Sequence, residues 1–414
     1  MTPEGDDRRA MRVVVGVGGG IAAYKACGLI RLLTESGCHV DVVPTEAALN
    51  FVGAATFEAL SGNPVSTGVF SDVPSVRHVA LGQKADLVVI APATADLMAR
   101  AASGRADDLL TSTLLTARGP VLLAPAMHTE MWEHPATQRN VETLRGDGLH
   151  VMPPARGRLT GADTGAGRLP EPADIARLAR LLLDGGSLPW DLAGKHIVVT
   201  SGGTREEIDP VRFLGNRSSG KQGHALAALA VARGAEVTLV TSADLPTPPA
   251  VTEVRIESAR ELREETLRAA ATADVVIKAA AVADFRPSHV SESKLKKGTG
   301  AEPAEIRLER NPDILADLVA ARGRGEVPTS CLLVGFAAET GDASGSVLEH
   351  GRAKLARKGC DLLVVNEVGR DTTFGRDHNG GWILDSDGGE ILVDRASKDV
   401  LAGRILDAVV ERSR

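Results

Sequence analysis

Four cysteines in 414 residues (Cys27, Cys38, Cys331 and Cys360) are too few and too scattered for a disulfide framework or a metal-ligand cluster. They read as small apolar side chains in a reducing compartment. Nor is positive charge in excess. The formal net charge is −7 and the isoelectric point about 5.9, with both signs interspersed, so no basic face is broad enough to neutralise a nucleic-acid backbone. Long apolar runs are missing as well. Residues 1–12 are polar and glycines soon break the strand that follows, which makes neither a signal peptide nor a membrane span. The expectation is a cytoplasmic protein with no nucleic-acid or membrane partner. The two halves share no sustained repeat.

The 43% of hydrophobic residues can fill a sizeable core in each of two or three domains. Val13 to Val17 is an apolar run ending in Gly18-Gly19-Gly20. Ile21 to Ser36 carries apolar residues at helical spacing, Gly37 stops that helix, and Val40 to Val43 reads as the next strand. Leu87 to Ala91, Val121 to Ala124 and Leu149 to Met152 are short apolar runs between turn residues, as central parallel strands are. The polar, glycine-rich stretch Asp184 to Gly194, with a proline in it, places a domain boundary near residue 190. Beyond it the logic repeats: strands over Ile197 to Thr200, Val237 to Thr241, Val275 to Ala279, Cys331 to Phe336 and Leu362 to Val365, with a helix over Gly223 to Arg233. The predicted fold is α/β, two Rossmann-like doubly wound domains in tandem over residues 1–190 and 191–414.

Glycines after a first strand let the backbone approach a phosphate at the next helix N-terminus, where free N–H groups and the helix dipole favour an anion. Gly18, Gly19, Gly20 and Ile21 stand there. The spacing is not G-x-G-x-x-G, and Thr45 rather than an acidic residue follows the second strand. A phosphate monoester such as FMN fits better than NAD, which disfavours a dehydrogenase.

The run from His78 to Asp96, then Gly104-Arg-Ala-Asp-Asp-Leu-Leu110 and Ala124-Pro-Ala-Met-His-Thr-Glu-Met-Trp132, closely resemble the flavin-dependent decarboxylases of cysteine carboxylates. Within that group they are similar to phosphopantothenoylcysteine decarboxylases, over most of residues 11–175. The resemblance implies a flavodoxin-like flavoprotein in which His78 is the catalytic base and Gly19, Gly20, Ile21, Thr45, Ala93, Thr94 and Met127 contact FMN. It implies oxidation at the substrate's cysteine Cβ, loss of carbon dioxide, and reduction of the enethiol that results. His128 stands where the family has an asparagine that holds the substrate carboxylate, and an imidazole N–H can donate the same hydrogen bond. A flap cysteine is the family's proton donor to the enethiolate. Aligning its Gly-x-Gly-Arg turn with Gly165-Ala-Gly-Arg168 puts Gly161 in that place, which leaves His128, a water or Asp163 as donor.

In the second half, Thr200-Ser-Gly-Gly-Thr-Arg-Glu-Glu-Ile-Asp-Pro-Val-Arg212, Asn216-Arg-Ser-Ser-Gly-Lys-Gln-Gly223 and Ala279-Ala-Ala-Val-Ala-Asp-Phe-Arg-Pro287 are similar to phosphopantothenate–cysteine ligases. Lys294-Leu-Lys-Lys297, Asn311-Pro-Asp-Ile314 and the run from Lys354 to Leu362 extend that similarity from about 195 to the end. Bacterial members fuse the two enzymes in this order. The resemblance implies activation of phosphopantothenate by CTP as an acyl-cytidylate, then displacement of CMP by the amine of cysteine. CTP contacts then fall on Lys278, Ala279, Ala280, Asp284, Lys294, Asn311, Pro312, Asp313, Ile314, Phe336, Lys354 and Lys358, and Asn216 matches the residue that turns over the cytidylate. Ser201-Gly-Gly-Thr204 and Ser218-Ser-Gly-Lys221 are backbone of the kind that cradles phosphates, with a magnesium ion to offset their charge and Asp284 as its candidate ligand. A homo-oligomer, a dodecamer by analogy, is implied too. Residues 157–167 and 288–300 are expected to be flaps over substrate.

Overall fold

The computed structural model describes residues 9–67, 76–158, 164–295, 305–339, 345–367 and 378–414. The chain divides into two units, Met1–Pro189 and Trp190–Arg414. In the first, β1 (Arg12–Val17), β2 (His39–Pro44), β3 (Leu87–Ala93), β4 (Val121–Pro125) and β5 (His150–Val151) form a parallel sheet in the order β2-β1-β3-β4-β5. Parallel neighbours need crossovers, and helices such as Tyr24–Glu35, Arg77–Lys84, Ala95–Ala102 and Pro135–Gly146 supply them. All seven residues of β3 are buried. Helices on both faces explain why its sequence is a continuous apolar run rather than an alternating one. The helix expected from Ile21 opens as a 3-10 turn, Ile21–Ala23, before the α-helix begins at Tyr24. A hairpin of β6 (Ala155–Arg158) and β7 (Thr164–Arg168) precedes the last helix, Pro172–Leu183.

The second unit contains β8 (His196–Ser201), β9 (Arg205–Asp209), β10 (Arg212–Gly215), β11 (Glu236–Thr241), β12 (Val251–Arg255) and β13 (Val275–Lys278). After them come β14 (Phe285–Pro287), β15 (Leu308–Arg310), β16 (Leu332–Glu339), β17 (Leu362–Glu367), β18 (His378–Asp385) and β19 (Glu390–Ser397). The main sheet runs β12-β11-β8-β13-β16-β17-β18-β19. Its first six strands are parallel and follow the doubly wound dinucleotide-binding order. β18 and β19 add an antiparallel edge through a tight turn in which Asp385 N–H donates to the Gly389 carbonyl at 2.8 Å. β9 with β10, and β14 with β15, form separate short hairpins.

Arg233 closes this unit. It is 1% exposed, and its guanidinium forks onto both Asp191 oxygens at 2.8 and 2.7 Å and reaches Asp407, in the last helix, at 2.7 Å. The Leu192 N–H donates to its carbonyl at 3.1 Å. Gly234, at φ +99°, leaves room for the Trp190 ring, since an added Cβ would stand 2.8 Å from it. Among the described residues no helix is long and apolar enough to cross a membrane.

Candidate active sites

In a parallel sheet, ligands bind beyond the carboxyl ends of the strands where the strand order reverses. In the first unit that point lies between β1 and β3, and the residues expected to hold FMN gather there. Gly18 N–H donates to the Pro92 carbonyl at 3.0 Å, Thr45 N–H to Val17 at 2.9 Å, and Ala126 N–H to Ala93 at 3.1 Å. A Cβ at Gly18 would stand 2.5 Å from the Pro92 oxygen, and one at Gly19 2.4 Å from the Ala47 Cβ. Only glycine lets the turn after β1 nest between the turns after β2 and β3. Gly20 is open on its outer side, Ile21 is exposed, and the buried Thr45 and half-buried Thr94 cap helical turns with their hydroxyls. Met127 N–H donates to Gly167 of the hairpin at 2.9 Å, so β7 lies against the Met127 turn.

His78 is the second residue of the helix that leads back into β3. The helix is anchored by Thr116, whose hydroxyl donates to the His78 carbonyl at 2.8 Å. His78 Nδ1 is buried and has no hydrogen-bond partner among the described residues. His128, exposed, caps the short helix after β4. Sequence reasoning missed the clamp on the hairpin: Glu171 Oε1 accepts from Lys25 at 2.8 Å and from Arg168 at 2.7 Å, and Lys25 also donates to the Leu169 carbonyl. Mainly through the Lys25 hydrogen bond, the Glu171 carboxyl is held below the usual carboxylate range. Gly161 and Asp163 lie outside the described residues, as do residues 296–300 of the second expected flap.

In the second unit the order reverses between β8 and β13. Their following turns are tied together: Ala281 N–H donates to the Gly202 carbonyl at 2.9 Å, Thr204 N–H to Ala281 at 3.1 Å, and Ala280 and Ala283 N–H to the hydroxyls of Thr200 and Thr204. Asn311 joins the group, donating from its side chain to the Ala283 carbonyl at 2.8 Å and from its backbone to Asp284 at 2.9 Å. Past Pro312, Asp313 caps the helix that starts at Ile314 and pairs with Lys358. Lys354 pairs with Glu339 at 2.7 Å, at the end of the strand that carries the half-buried Phe336. At the end of β13, burial pushes the Lys278 ammonium down to about 8. Asp313 and Asp284 oppose that shift, while Lys358 and Lys354 add to it. Eleven of the twelve residues expected to bind CTP thus stand at the ends of β13 and β16 and the elements beside them. Lys294 is exposed, on a separate segment running beside β9.

Next to this cluster is a cavity of about 540 Å³, lined by Gly203, Arg205, Phe213, Asn216, Ser218 and Asp244 among others. Asn216 reaches back from it to the Val282 carbonyl at 2.9 Å. Arg205 lies over the Phe213 ring, 5.5 Å from its centroid. No sequence pattern signals that pairing, because it depends on the β9–β10 hairpin folding back on itself.

A family model described as Flavoprotein matches residues 1–182, and one described as DNA/pantothenate metabolism flavoprotein C-terminal domain matches residues 192–412. The chain is 62% identical over 401 residues to the coenzyme A biosynthesis bifunctional protein CoaBC of Mycolicibacterium smegmatis, a match covering 96% of this chain and 97% of that one. It belongs to the family of bifunctional coenzyme A biosynthesis proteins. The Bacillus subtilis member is 43% identical, with 97% of each chain covered. Among solved structures, the C-terminal domain of a CoaBC protein aligns with 54% of this chain and 97% of its own, at 39% identity and a TM-score of 0.44. As a bifunctional coenzyme A biosynthesis protein the chain is an enzyme, and its first unit is a flavoprotein.

Proposed function

We propose that the first unit decarboxylates phosphopantothenoylcysteine to 4′-phosphopantetheine with FMN, and that the second makes its substrate from 4′-phosphopantothenate, cysteine and CTP. The observation that carries this reading is the gathering, in each of two separate sheets, of most of the FMN- and CTP-contact residues the resemblance implies, at the carboxyl edge where strand order reverses.

The glycine turn Gly18–Gly20, where a side chain at Gly18 or Gly19 would collide with its neighbours while Gly20 stays open, and the unpartnered Nδ1 of His78 fit a flavin phosphate and a reacting substrate. FMN supplies hydride acceptance and return when bound. His78 takes the thiol proton of the substrate, Thr45, Ala93, Thr94 and Met127 line the flavin, and the His128 N–H holds the carboxylate that leaves as carbon dioxide. His128 or a water returns a proton to carbon where the family has its flap cysteine.

In the second unit a carboxylate oxygen of phosphopantothenate displaces pyrophosphate at the α-phosphorus of CTP. The cysteine amine then attacks the acyl carbon and CMP leaves. Lys278, Lys354, Lys358 and Lys294 stabilise phosphate charge, while Ala279, Ala280, Asn311, Pro312, Ile314 and Phe336 line the nucleotide. Asn216 serves the second step. Asp284 would hold a magnesium ion, which would offset phosphate charge on the bound nucleotide. We place the enzyme in the cytoplasm as a homo-oligomer, a dodecamer by family analogy. A coupled assay with mass detection of each intermediate tests the whole reading. Release of an enethiol two mass units short of phosphopantetheine, with bleached flavin, would show that nothing replaces the missing cysteine.

A further inference from the structure

The turn between β9 and β10 is closed by a carboxylate that also holds a segment 86 residues further along the chain. The Asp209 side chain is fully buried, where a carboxylate persists only if its charge and lone pairs are answered. Its Oδ1 accepts the N–H groups of Val211 at 2.8 Å and Arg212 at 2.9 Å. Its Oδ2 accepts the Leu295 N–H at 3.1 Å and the Arg212 guanidinium at 3.2 Å. Burial works against ionisation, but these backbone donors and Arg212 outweigh it and hold the carboxyl below the usual carboxylate range.

Leu295 directly follows Lys294. The segment they share is stitched to β9 at a second point, where Ser291 N–H donates to the Ile208 carbonyl at 3.0 Å. From the Asp209 turn, β10 runs through Gly215 into Asn216. Two arms of the ligase site, one ending in exposed Lys294 and the other in Asn216, are thus joined at a buried carboxylate, beside which the Arg212 guanidinium also donates to the Leu295 carbonyl at 3.4 Å.

We propose that Asp209 is a positioning residue for the ligase reaction: it fixes the main chain at Leu295 and so sets where Lys294 stands relative to Asn216. The proposal rests on the ligase reading of those two residues. A carboxylate is required because both of its oxygens accept. An asparagine here has one acceptor oxygen. If that oxygen serves the Val211–Arg212 turn, the NH₂ group faces the Leu295 N–H, donor against donor; if the amide flips, the turn loses its acceptor instead.

The test uses the full chain and two variants, Asp209→Asn and Leu295→Pro, the second removing the N–H while leaving the carboxylate in place. Tryptic cleavage after Lys294 is followed by mass spectrometry, and pyrophosphate release is followed with CTP and phosphopantothenate in the absence of cysteine. In Asp209→Asn, cleavage after Lys294 is expected to quicken, and pyrophosphate release to slow, each by about tenfold or more, the change that follows loss of one hydrogen bond to a charged group. Cleavage at distant sites stays at the wild-type rate, and Leu295→Pro reproduces the slow release. Unchanged cleavage in Asp209→Asn, or wild-type pyrophosphate release in either variant, overturns the proposal. Absence of pyrophosphate release from the wild-type chain would instead defeat the ligase reading, and the tryptic comparison would still decide whether Asp209 holds Lys294.

Discussion

The Asn216 side-chain amide donates to the main-chain carbonyl of Val282 at 2.9 Å, joining the turn after β10 to the loop after β13. Asn216→Asp removes that donor and sets a carboxylate against a carbonyl oxygen, a repulsive pairing. Acyl-cytidylate is expected to form and persist, because the residue is assigned to the second step, and mass spectrometry of the quenched reaction detects it. A normal yield of phosphopantothenoylcysteine would remove Asn216 from that step.

His78→Asn keeps side-chain polarity but removes the basic ring nitrogen. The purified variant is expected to stay yellow while decarboxylation falls by about 10² to 10⁴. His128→Ala, at an exposed position, is expected to raise KM for phosphopantothenoylcysteine by about tenfold, the cost of one charge-assisted hydrogen bond. Rates and spectra indistinguishable from wild type in either variant would reassign that histidine to structure.

Lys278 gives a pH dependence of definite sign. With its ammonium pushed down to about 8 by burial, the side chain is cationic at pH 7 and neutral at pH 9. The kcat/KM for CTP is expected to fall as pH rises through about 8, and Lys278→Arg, which stays charged, is expected to flatten that fall. Stability moves the other way. The unfolded chain binds this proton up to an ordinary value near 10.5, so between pH 8 and that value the group's contribution to stability grows with pH. Thermal melts and steady-state kinetics over the same buffers separate the two.

Arg233 predicts where the second unit starts. A fragment of residues 187–414 is expected to be soluble and to retain ligase activity, because it keeps Trp190, Asp191 and Leu192. Within it, Asp191→Ala is expected to cost about 2 kcal/mol in urea unfolding, less than for a fully orphaned buried charge because Asp407 still pairs with Arg233. A fragment starting at His196 loses the whole clasp and is expected to be less stable again.

The central strands were legible because they are buried on both faces. Leu87 to Ala91 and Val121 to Ala124 read as strands whatever surrounds them, and the structure extends each by only a residue or two. β12, β18 and β19 carried no comparable apolar run. At the sheet edges one face meets solvent, as at the exposed Leu392, so polar residues interrupt the pattern. Candidate site residues were legible through long motifs rather than through periodicity. Motifs name residues but not their partners. Asp209 stood inside a quoted motif without a role, because its partner Leu295 lies far along the chain and is reached by a backbone N–H that every residue but proline has.

Synthesis from the N-terminus gives the Arg233 clasp one more meaning. All five strands of the first sheet lie within residues 12–151, so that unit can close while the second is still being made. The second cannot. Asp191, near its start, and helix Lys398–Arg412, through Asp407, meet on the same guanidinium, so the clasp is complete only once synthesis has passed Asp407. Until then the Arg233 charge has one of its two carboxylates, and the second unit stays half-sealed.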